Sequence, residues 1–551
     1  MFCFTPPFRF LFFGLLSLSA SCKTVPEAAE STTPTNVIFI LADDFGIVDA
    51  NAYATHFTGV PADSQYYETP NIDRLLREGT AFSQAYATQL CSPTRAGILA
   101  GKFAPRLGFM TAMPLRETYY NQDMAVPENY NRHDVLDHHD DIPIERVWDN
   151  ATSNSALPAE VVTLPEAMPD HQAAFLGKWH IGGFGAEGVQ PEDQGFEPLA
   201  WYDAGASVYF DWQPSWNNRS KNRFPKMPQD EWQIGHTGPP LDEYLSDDLT
   251  ERALQFLDGR ADTTGQPFFL YLSHFAVHAP YQGLEDEVEY YRNKETRGWN
   301  GHNDPQYAAL VAGLDRSVGR ILNKLAATGL DDNTIVVFMS DNGGIDRKIT
   351  PKGDGTDNQP FLGGKACLTE GGIRVPLIFW GQGIDSGGWS DTAVDYTDIY
   401  PTLLDLAGYD SESAIDANDL DGRTLVSLLG RPGDAYGKTA RYWHYPFNVI
   451  YNSPYDDLPL TPHSAVQEGS DKLIYDWYGR LYLYDLEADP YEKNNLADSE
   501  PELRQRLFGQ LTGWLEKNVD RRYWPQRNEA YDPTEESRQE PFRELITELG
   551  G

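Results

Sequence analysis

The stretch Asn36-Val37-Ile38-Phe39-Ile40-Leu41-Ala42, followed at once by Asp43-Asp44, decides the fold. An apolar run that stops abruptly at two carboxylates is typical of a buried parallel strand whose carboxyl end faces a ligand site. Three later runs end in the same way: Ala173–Leu176 before Gly177-Lys178-Trp179-His180, Pro267–Ser273 before His274 and His278, and Thr334–Ser340 before Asp341-Asn342. Since parallel strands end at one edge of a sheet, these segments would deliver carboxylates, lysine and histidine to one site.

Helical patterns lie between the strand-like runs. Thr69–Gly79 has an N-cap Thr, a proline at the first helical position and a terminal glycine, and Tyr307–Leu325 has apolar residues at helical spacing. Alternating strands and helices predict an α/β sandwich with a large, mostly parallel sheet over residues 36–430. Ala104–Pro158 and Gly183–Pro240 are long, polar, aromatic-rich stretches, which we interpret as insertions around the mouth of the site.

The composition changes after about Gly430. Lys472–Tyr475 and Arg480–Leu486 are short and strand-like, and Pro501–Asn518 carries a leucine stripe at helical spacing. The sequence therefore predicts a smaller C-terminal α+β subdomain, residues 431–551, with an antiparallel sheet and a helix.

The chain is strongly acidic. It has 551 residues, with 82 Asp and Glu against 43 Lys and Arg, for a net charge of −39. This charge excludes a nucleic-acid binder, and an anionic substrate would require a local cationic cluster. A salty habitat and simple solubility both account for the acidic surface.

The amino terminus resembles an export signal. Arg9 precedes the apolar run Phe10–Leu16, and the small residues Ser19-Ala20-Ser21 lead to Cys22. We interpret residues 1–21 as a signal peptide and favour a lipid anchor at Cys22 over ordinary cleavage. Residues 22–35 would form a flexible tether, so we expect an exported protein in the periplasm or on the cell surface. The four cysteines predict no disulfide framework.

The segment Cys91-Ser92-Pro93-Thr94-Arg95-Ala96-Gly97 resembles the signature of the type I sulfatases, in which the cysteine of C-x-P-x-R is oxidised to formylglycine. The resemblance extends from Asn36 to about Asp498, and the family fold is that of alkaline phosphatase. Other matching segments are Thr69–Asp73, Gly177–His180, Ser340–Gly344, Gly363–Lys365, Glu370–Pro376, Asp398–Thr402 and Leu483–Leu486.

Four oxygen-bearing side chains suggest a metal site. Asp43, Asp44, Asp341 and Asn342 are hard ligands that favour Ca²⁺ or Mg²⁺ over zinc. By resemblance, one Ca²⁺ ion would hold the hydrated formylglycine at position 91 and a sulfate oxygen. A turn or helix cap is the alternative for each Asp pair taken alone.

The resemblance also assigns the reaction. One oxygen of the hydrate formed from Cys91 attacks sulfur and expels the alcohol, with Arg95 fixing residue 91 and neutralising charge. His278 protonates the leaving oxygen beside Lys365, Lys178 adds positive charge, and His180 takes the second hydrate proton so that sulfate leaves. Cys91 would need a formylglycine-generating maturation enzyme. His274 would either support the catalytic residues without touching the substrate or have only a structural role.

The substrate side departs from the family pattern. Trp443-His444-Tyr445-Pro446 is followed by Phe447, where many carbohydrate sulfatases have histidine, and Gln467 stands where arginine is common. His444 would face the sugar, although a packed core histidine is equally compatible with the sequence. We expect a sulfatase acting on a sulfated glycan, with Lys178, His278, Lys365 and His444 as substrate contacts. Two alternatives are a phosphodiesterase or phosphonate monoester hydrolase on the same fold, and a lipoprotein that binds sulfated glycans without turnover.

Overall fold

The apolar run before Asp43 forms the central strand of the main sheet in the computed structural model, Asn36–Ala42. It pairs in parallel with Phe268–Ser273 on one side and with Thr334–Ser340 on the other. All seven of its residues are buried, because helices cover both faces of the sheet. Ile38, Ile40 and Ala42 enter one apolar cluster, while Val37, Phe39 and Leu41 enter the opposite one.

The structure describes residues 35–112, 148–149, 153–154, 156–183, 185, 188–217, 234–261, 265–350, 353–431, 433–447, 451–455, 460–477, 479–527 and 529. These residues belong to one compact unit, Pro34–Gly551. The predicted signal peptide, all of the tether but Thr35, and most of the first insertion lie outside the described residues. No division near residue 430 is apparent among the described residues, so that boundary stays a prediction.

The strands of the described chain are β1 Asn36–Ala42, β2 Thr80–Phe82, β3 Ala85–Tyr86, β4 Trp148–Asp149, β5 Gln172–Lys178, β6 Glu197–Tyr202, β7 Gly235–His236, β8 Phe268–Ser273, β9 Thr334–Ser340, β10 Arg374–Val375, β11 Leu377–Gly381, β12 Gly388–Ser390, β13 Val394–Asp395, β14 Ala440–Tyr445, β15 His463–Glu468, β16 Asp471–Asp476, β17 Arg480–Asp485 and β18 Gln526–Arg527. Its helices are α1 Asn51–Thr58, α2 Pro70–Glu78, α3 Cys91–Ala100, α4 Gln213–Trp216, α5 Leu245–Ala261, α6 Glu285–Asn293, α7 Pro305–Thr328, α8 Glu370–Ile373, α9 Ile399–Ala407, α10 Ser411–Asn418 and α11 Pro501–Asn518.

The main sheet has nine strands in the order β12-β2-β11-β9-β1-β8-β5-β6-β7. Its centre is parallel, whereas β11 runs antiparallel to β9 and β2, and β7 runs antiparallel to β6. The predicted α/β architecture with a large, mostly parallel sheet is therefore confirmed.

The predicted helix at Thr69–Gly79 is α2, but its amino end is capped differently from the sequence pattern. Thr69 occupies the cap position, yet its side chain makes no cap hydrogen bond to the helix. Asp315 of α7 instead accepts the N–H groups of Asn71 and Ile72 at 2.9 and 2.8 Å. The helix start is thus satisfied by a carboxylate that is distant in sequence.

The predicted antiparallel sheet near the carboxyl terminus is confirmed as β14-β15-β16-β17, and α11 packs against it. A buried ion cluster connects this sheet to the main body. The ammonium of Lys472 in β16 lies 2.8 Å from Glu370 of α8 and 2.9 Å from Glu492. None of the described helices is long and apolar enough to cross a membrane.

Candidate active site

The ends of four neighbouring strands form the site. Leu41 of β1 pairs with Ser273 of β8 and with Met339 of β9, while Gly177 of β5 also pairs with Ser273. The chain therefore leaves all four strands at the same level of the sheet. Because of this register, the predicted Asp, Lys and His segments come together at one edge.

Cys91 is the first residue of α3 and is 1% exposed. Its Sγ lies 4.0 Å from Oδ1 of Asp44. Burial raises the pKa of the Cys91 thiol to about 12, although Lys178 and Lys365 work in the opposite direction. The unmodified side chain is therefore an uncharged thiol at neutral pH. The amino terminus of a helix, by contrast, stabilises a negatively charged group at this position.

Arg95 lies one helical turn further along α3 and joins several strand ends. Its Nε and Nη2 donate to Oδ2 of Asp341 at 3.0 and 2.6 Å, and Nη2 lies 3.9 Å from Asp43. Nη1 donates to the carbonyl of Lys178 and to the hydroxyl of Ser273. The guanidinium thus fixes α3 against β5, β8 and β9.

Asp43 and Asp44 each form an ion pair with a different lysine. Lys178 Nζ lies 2.6 Å from Asp43, and Lys365 Nζ lies 2.7 Å from Asp44. Burial raises the pKa of Asp43 to about 7, whereas at Asp44 the effect of burial is outweighed by Lys365, His278 and Lys178, so its pKa falls below the ordinary range. These two lysines are the local cations that the acidic chain requires.

The described donors fit a hard divalent cation. Single ligand atoms of Asp43, Asp44, Cys91 and His278 all lie within 4.8 Å of one another. Oδ1 of Asp43 and Oδ1 of Asn342 are buried and have no hydrogen-bond partner among the described residues, as expected for oxygens that bind an ion. Asn342 Nδ2 donates to Asp44 at 2.8 Å, so the amide oxygen of Asn342 points away from Asp44. Both oxygens of Asp341 already accept hydrogen bonds, Oδ2 from Arg95 and Oδ1 from the N–H of Asp44 at 3.1 Å, and Oδ1 keeps a further lone pair.

His180 and His278 are held by different segments of the chain. His180 follows β5 in the left-handed backbone region, with φ of 60°, and its carbonyl accepts the Ser92 hydroxyl at 2.8 Å. His278 Nδ1 contacts the carbonyl of Ala279 at 2.6 Å, so Nδ1 carries a proton and Nε2 faces Asp44 at 3.5 Å. Burial, together with Lys365, lowers the pKa of His278 to about 3.

Two further predicted histidines lie in packed surroundings. His274 contacts the hydroxyl of Ser317 in α7 at 3.0 Å, and burial lowers its pKa to about 4. His444 is 2% exposed, and its ring nitrogens contact the Ser464 hydroxyl at 2.7 Å and the Tyr523 carbonyl at 3.0 Å. The expectation that His444 faces the sugar is therefore corrected: its two ring nitrogens are bonded within the protein, one to β15 and one to the segment after α11.

Sequence reasoning missed several residues that shape the site. Ser273, the last residue of β8, bonds to both Arg95 and the carbonyl of Lys178. Asp203, just after β6, binds the turn that carries His180. The position of each at the end of a strand of the parallel sheet was the signal that could have revealed it.

Two tyrosines and a carboxylate that the motifs did not indicate, Tyr281, Tyr451 and Asp354, interact electrostatically with the site. The Tyr281 ring packs at 5.4 Å against Tyr307, whose hydroxyl contacts the Asp44 carbonyl at 3.3 Å. Burial raises the pKa of both Tyr281 and Tyr451, and the charges of Asp44, Lys365 and Asp354 act on both phenols. Asp354 is partly exposed and accepts a hydrogen bond from Thr350 at 3.4 Å.

Comparisons with known proteins point to one family. The family model described as "Sulfatase" matches residues 35–409, and the model described as "N-sulphoglucosamine sulphohydrolase, C-terminal" matches residues 363–518. A sulfatase of Formosa agariphila is 28% identical, over 93% of this chain and 94% of that protein. The N-acetylgalactosamine-6-sulfatase of Canis lupus familiaris is 29% identical, over 73% of this chain and 67% of that protein.

A solved structure shares the fold. The crystal structure of Ps i-CgsB in complex with k-i-k-neocarrahexaose matches with a TM-score of 0.66 and 24% identity, over 89% of this chain and 95% of that chain. Fold, site and relatives together define a sulfuric ester hydrolase of the alkaline-phosphatase-like superfamily. The chain belongs to the sulfatase family, whose model spans most of its length.

Proposed function

We propose that this sulfatase hydrolyses sulfate esters on a sulfated carbohydrate, with a formylglycine made from Cys91 as the source of the nucleophile and with one bound Ca²⁺ ion. The position of Cys91 carries the proposal. It is buried at the amino terminus of α3, 4.0 Å from Asp44, in a site that also holds Lys178 and Lys365. Its high pKa leaves an uncharged thiol, so the unmodified residue is poorly suited to nucleophilic attack.

The bound ion would be held by Asp43, Asp44, Asp341 and Asn342, and it would supply positive charge to the reacting sulfate and to residue 91. Lys178 and Lys365 place further positive charge beside these carboxylates. His278 presents Nε2 to the cluster while Nδ1 is held by a carbonyl, and an anionic sulfate would favour the protonated ring. In that form, Nε2 is the atom that gives a proton to the leaving oxygen. His180, whose backbone carbonyl is bonded to Ser92 of α3, would take a proton from residue 91.

The residues around Lys365 are consistent with a carbohydrate substrate. Tyr281 and Tyr451 offer aromatic surfaces near Lys365, and Asp354 supplies a hydrogen-bond acceptor close to both phenols. A substrate that reaches from Lys365 to Asp354 would carry its sulfate at the inner end and uncharged hydroxyls at the outer end. Sugar-linked names among the relatives, an N-acetylgalactosamine-6-sulfatase and a complex with neocarrahexaose, support the same class.

The test is sulfate release by the matured enzyme. The chain is co-expressed with a formylglycine-generating enzyme, conversion of residue 91 is verified by mass spectrometry, and free sulfate is measured over a panel of sulfated oligosaccharides. Cys91→Ala should abolish release, whereas Cys367→Ala, which removes the other buried free thiol of the described chain, should retain it. Release of the alcohol from phosphodiesters or phosphonate monoesters without release of sulfate from any sulfate ester would refute the proposal.

A second experiment tests the carbohydrate side. Asp354→Asn should raise KM for the best oligosaccharide while leaving turnover of a small aryl sulfate unchanged, because only the sugar reaches the carboxylate. Asp63→Asn, at an exposed carboxylate, is the control. An equal effect on both substrates would exclude Asp354 from sugar recognition.

We also propose that the chain is exported and lipid-anchored at Cys22, on the strength of its amino-terminal sequence. Cys22→Ser should move the protein from the membrane fraction to the soluble exported fraction. Failure of the wild-type chain to incorporate labelled fatty acid would contradict the anchor.

A further inference from the structure

His180 adopts a backbone conformation that a residue with a side chain seldom takes. Its φ of 60° lies in the left-handed region, and it is followed closely by Gly183 and Gly185, with φ of 62° and 84°. Glycine tolerates this region freely, whereas a histidine there needs its surroundings to hold it. The device that holds the turn therefore also determines where the imidazole points.

A buried carboxylate occupies the inside of this turn. Asp203 is 0% exposed, and its Oδ1 and Oδ2 accept the N–H groups of Gly182 and Gly185 at 3.1 and 2.6 Å. The backbone N–H of His180 and the side chain of Gln190 also hydrogen-bond to it. Successive N–H groups that converge on one anion form a compact nest, so a single side chain binds the turn at several points.

The turn is fixed to the nucleophile helix as well. The carbonyl of His180 accepts the Ser92 hydroxyl, and Gln190 Nε2 donates to the carbonyl of Gly182 at 2.7 Å. Gly205, two residues after Asp203, packs against the imidazole: a Cβ there would lie 2.9 Å from Nε2 of His180. Asp203 and its neighbour thus control the backbone and the ring of His180 from one short segment.

We propose that Asp203 is the positioning residue of His180 and governs the release of sulfate rather than the first attack on it. This inference rests on the proposed function. In the release step, the remaining hydroxyl of residue 91 gives its proton to His180, the freed electron pair forms the carbonyl, and the C–O bond to sulfate breaks with its electrons leaving on sulfate. Asp203 contacts the His180 turn, the side chain of Gln190 and the backbone of Ile234. The groups proposed to act on the leaving alcohol, His278 and Lys365, are held by other segments.

The first test separates the two halves of the reaction. Alcohol and sulfate are both followed in rapid-mixing experiments on matured wild type, Asp203→Asn and Asp203→Glu. Asparagine can accept fewer N–H bonds than a carboxylate, and glutamate keeps the charge but displaces it. Both variants should release the first equivalent of alcohol at nearly the wild-type rate, while steady-state sulfate release falls about 100-fold, the usual effect of misplacing a reacting group by about 1 Å.

Glu166→Gln is the matched control, because Glu166 also accepts a backbone N–H, from Thr163, in a turn away from His180. It should leave both phases unchanged. Equal loss of the alcohol and sulfate phases in the Asp203 variants, or no loss in either, would overturn the proposal. Asp203→Glu covers the case in which Asp203→Asn does not fold.

A second readout needs no turnover. In the unmodified protein, the imidazole carbon–proton signal of His180, assigned with His180→Gln, should shift and broaden in the Asp203 variants, and their crystal structures should show His180 out of the left-handed region. An unchanged His180 signal and φ would overturn the inference even if no substrate had been found. Absence of sulfate release by matured wild type would instead count against the proposed function.

Discussion

Gly205→Ala is a direct probe of His180. The new methyl carbon would lie 2.9 Å from Nε2 and 3.1 Å from Cε1 of the imidazole, closer than the roughly 3.5 Å at which such atoms pack without strain. The ring must therefore move by about 0.6 Å, or the 203–205 segment must retreat by as much. Since about 1 Å of misplacement costs around 100-fold, we expect sulfate turnover to fall about tenfold, equivalent to about 1.4 kcal/mol of transition-state stabilisation.

The assay is kcat and kcat/KM for sulfate release by matured enzyme, with the thermal midpoint measured in parallel. Gly238→Ala is the control, because a Cβ at that position meets no atom within 4 Å. Turnover of Gly205→Ala equal to that of wild type would refute the reasoning, since it would mean that the Nε2 edge of His180 takes no part in the slow step.

Three further predictions concern stability. Arg95→Lys should lower the free energy of unfolding by about 3 kcal/mol, because it breaks the paired bonds to Asp341 inside the protein. The control Arg74→Lys, at an exposed ion pair, should change this free energy by less than about 0.5 kcal/mol. Urea denaturation measures both, and similar values for the two variants would contradict the role given to Arg95. Chelation of divalent ions should lower the thermal midpoint, and Ca²⁺ at 100 times its Kd should restore the midpoint by adding about 2.7 kcal/mol to the free energy of unfolding; a midpoint that is unchanged on chelation would argue against the ion site. Burial raises the pKa of Glu492 from 4.5 to about 7, so its contribution to stability is fully present below about pH 4.5 and is lost as pH rises to about 7; wild type should therefore lose stability between pH 5 and pH 7 more steeply than Glu492→Gln, in melts across that range, and parallel pH profiles would refute this.

The strand ends were predictable because their signal is local. Each apolar run stops at a polar segment, and parallel strands bring such stops together, so Asp43, Lys178 and Asp341 could be placed at one edge from the amino-acid sequence alone. The order of the strands could not be predicted in this way, since pairing of β1 with β8 and β9 depends on contacts more than 200 residues apart. The sequence predicted a large, mostly parallel sheet and a small antiparallel one, but it did not predict the ion cluster of Lys472 that connects the small sheet to the main body.

The misjudged residues failed for a related reason. His444 carries the same sequence signal whether it faces a sugar or a hydroxyl in the core, and only the positions of Ser464 and Tyr523 decide between them. Thr69 looked like a cap, but a carboxylate from α7 reached the helix end instead. Asp203 went unnoticed because a single aspartate after a strand has no motif around it. Its role appears only once the His180 turn is folded over it.

The burial of Cys91 sets an order of events in the life of the protein. With 1% of its surface exposed, at the first residue of α3 and beside Asp44, the thiol leaves no room for another enzyme to bind the peptide around it. If residue 91 is converted as proposed, the conversion has to occur while this segment is still an extended chain. Folding would then seal the aldehyde into the site, and a molecule that folded first would stay inactive for the rest of its lifetime. The fraction of active enzyme in a preparation would thus depend on the rate of maturation relative to the rate of folding. Slower synthesis or more abundant maturation enzyme should increase that fraction.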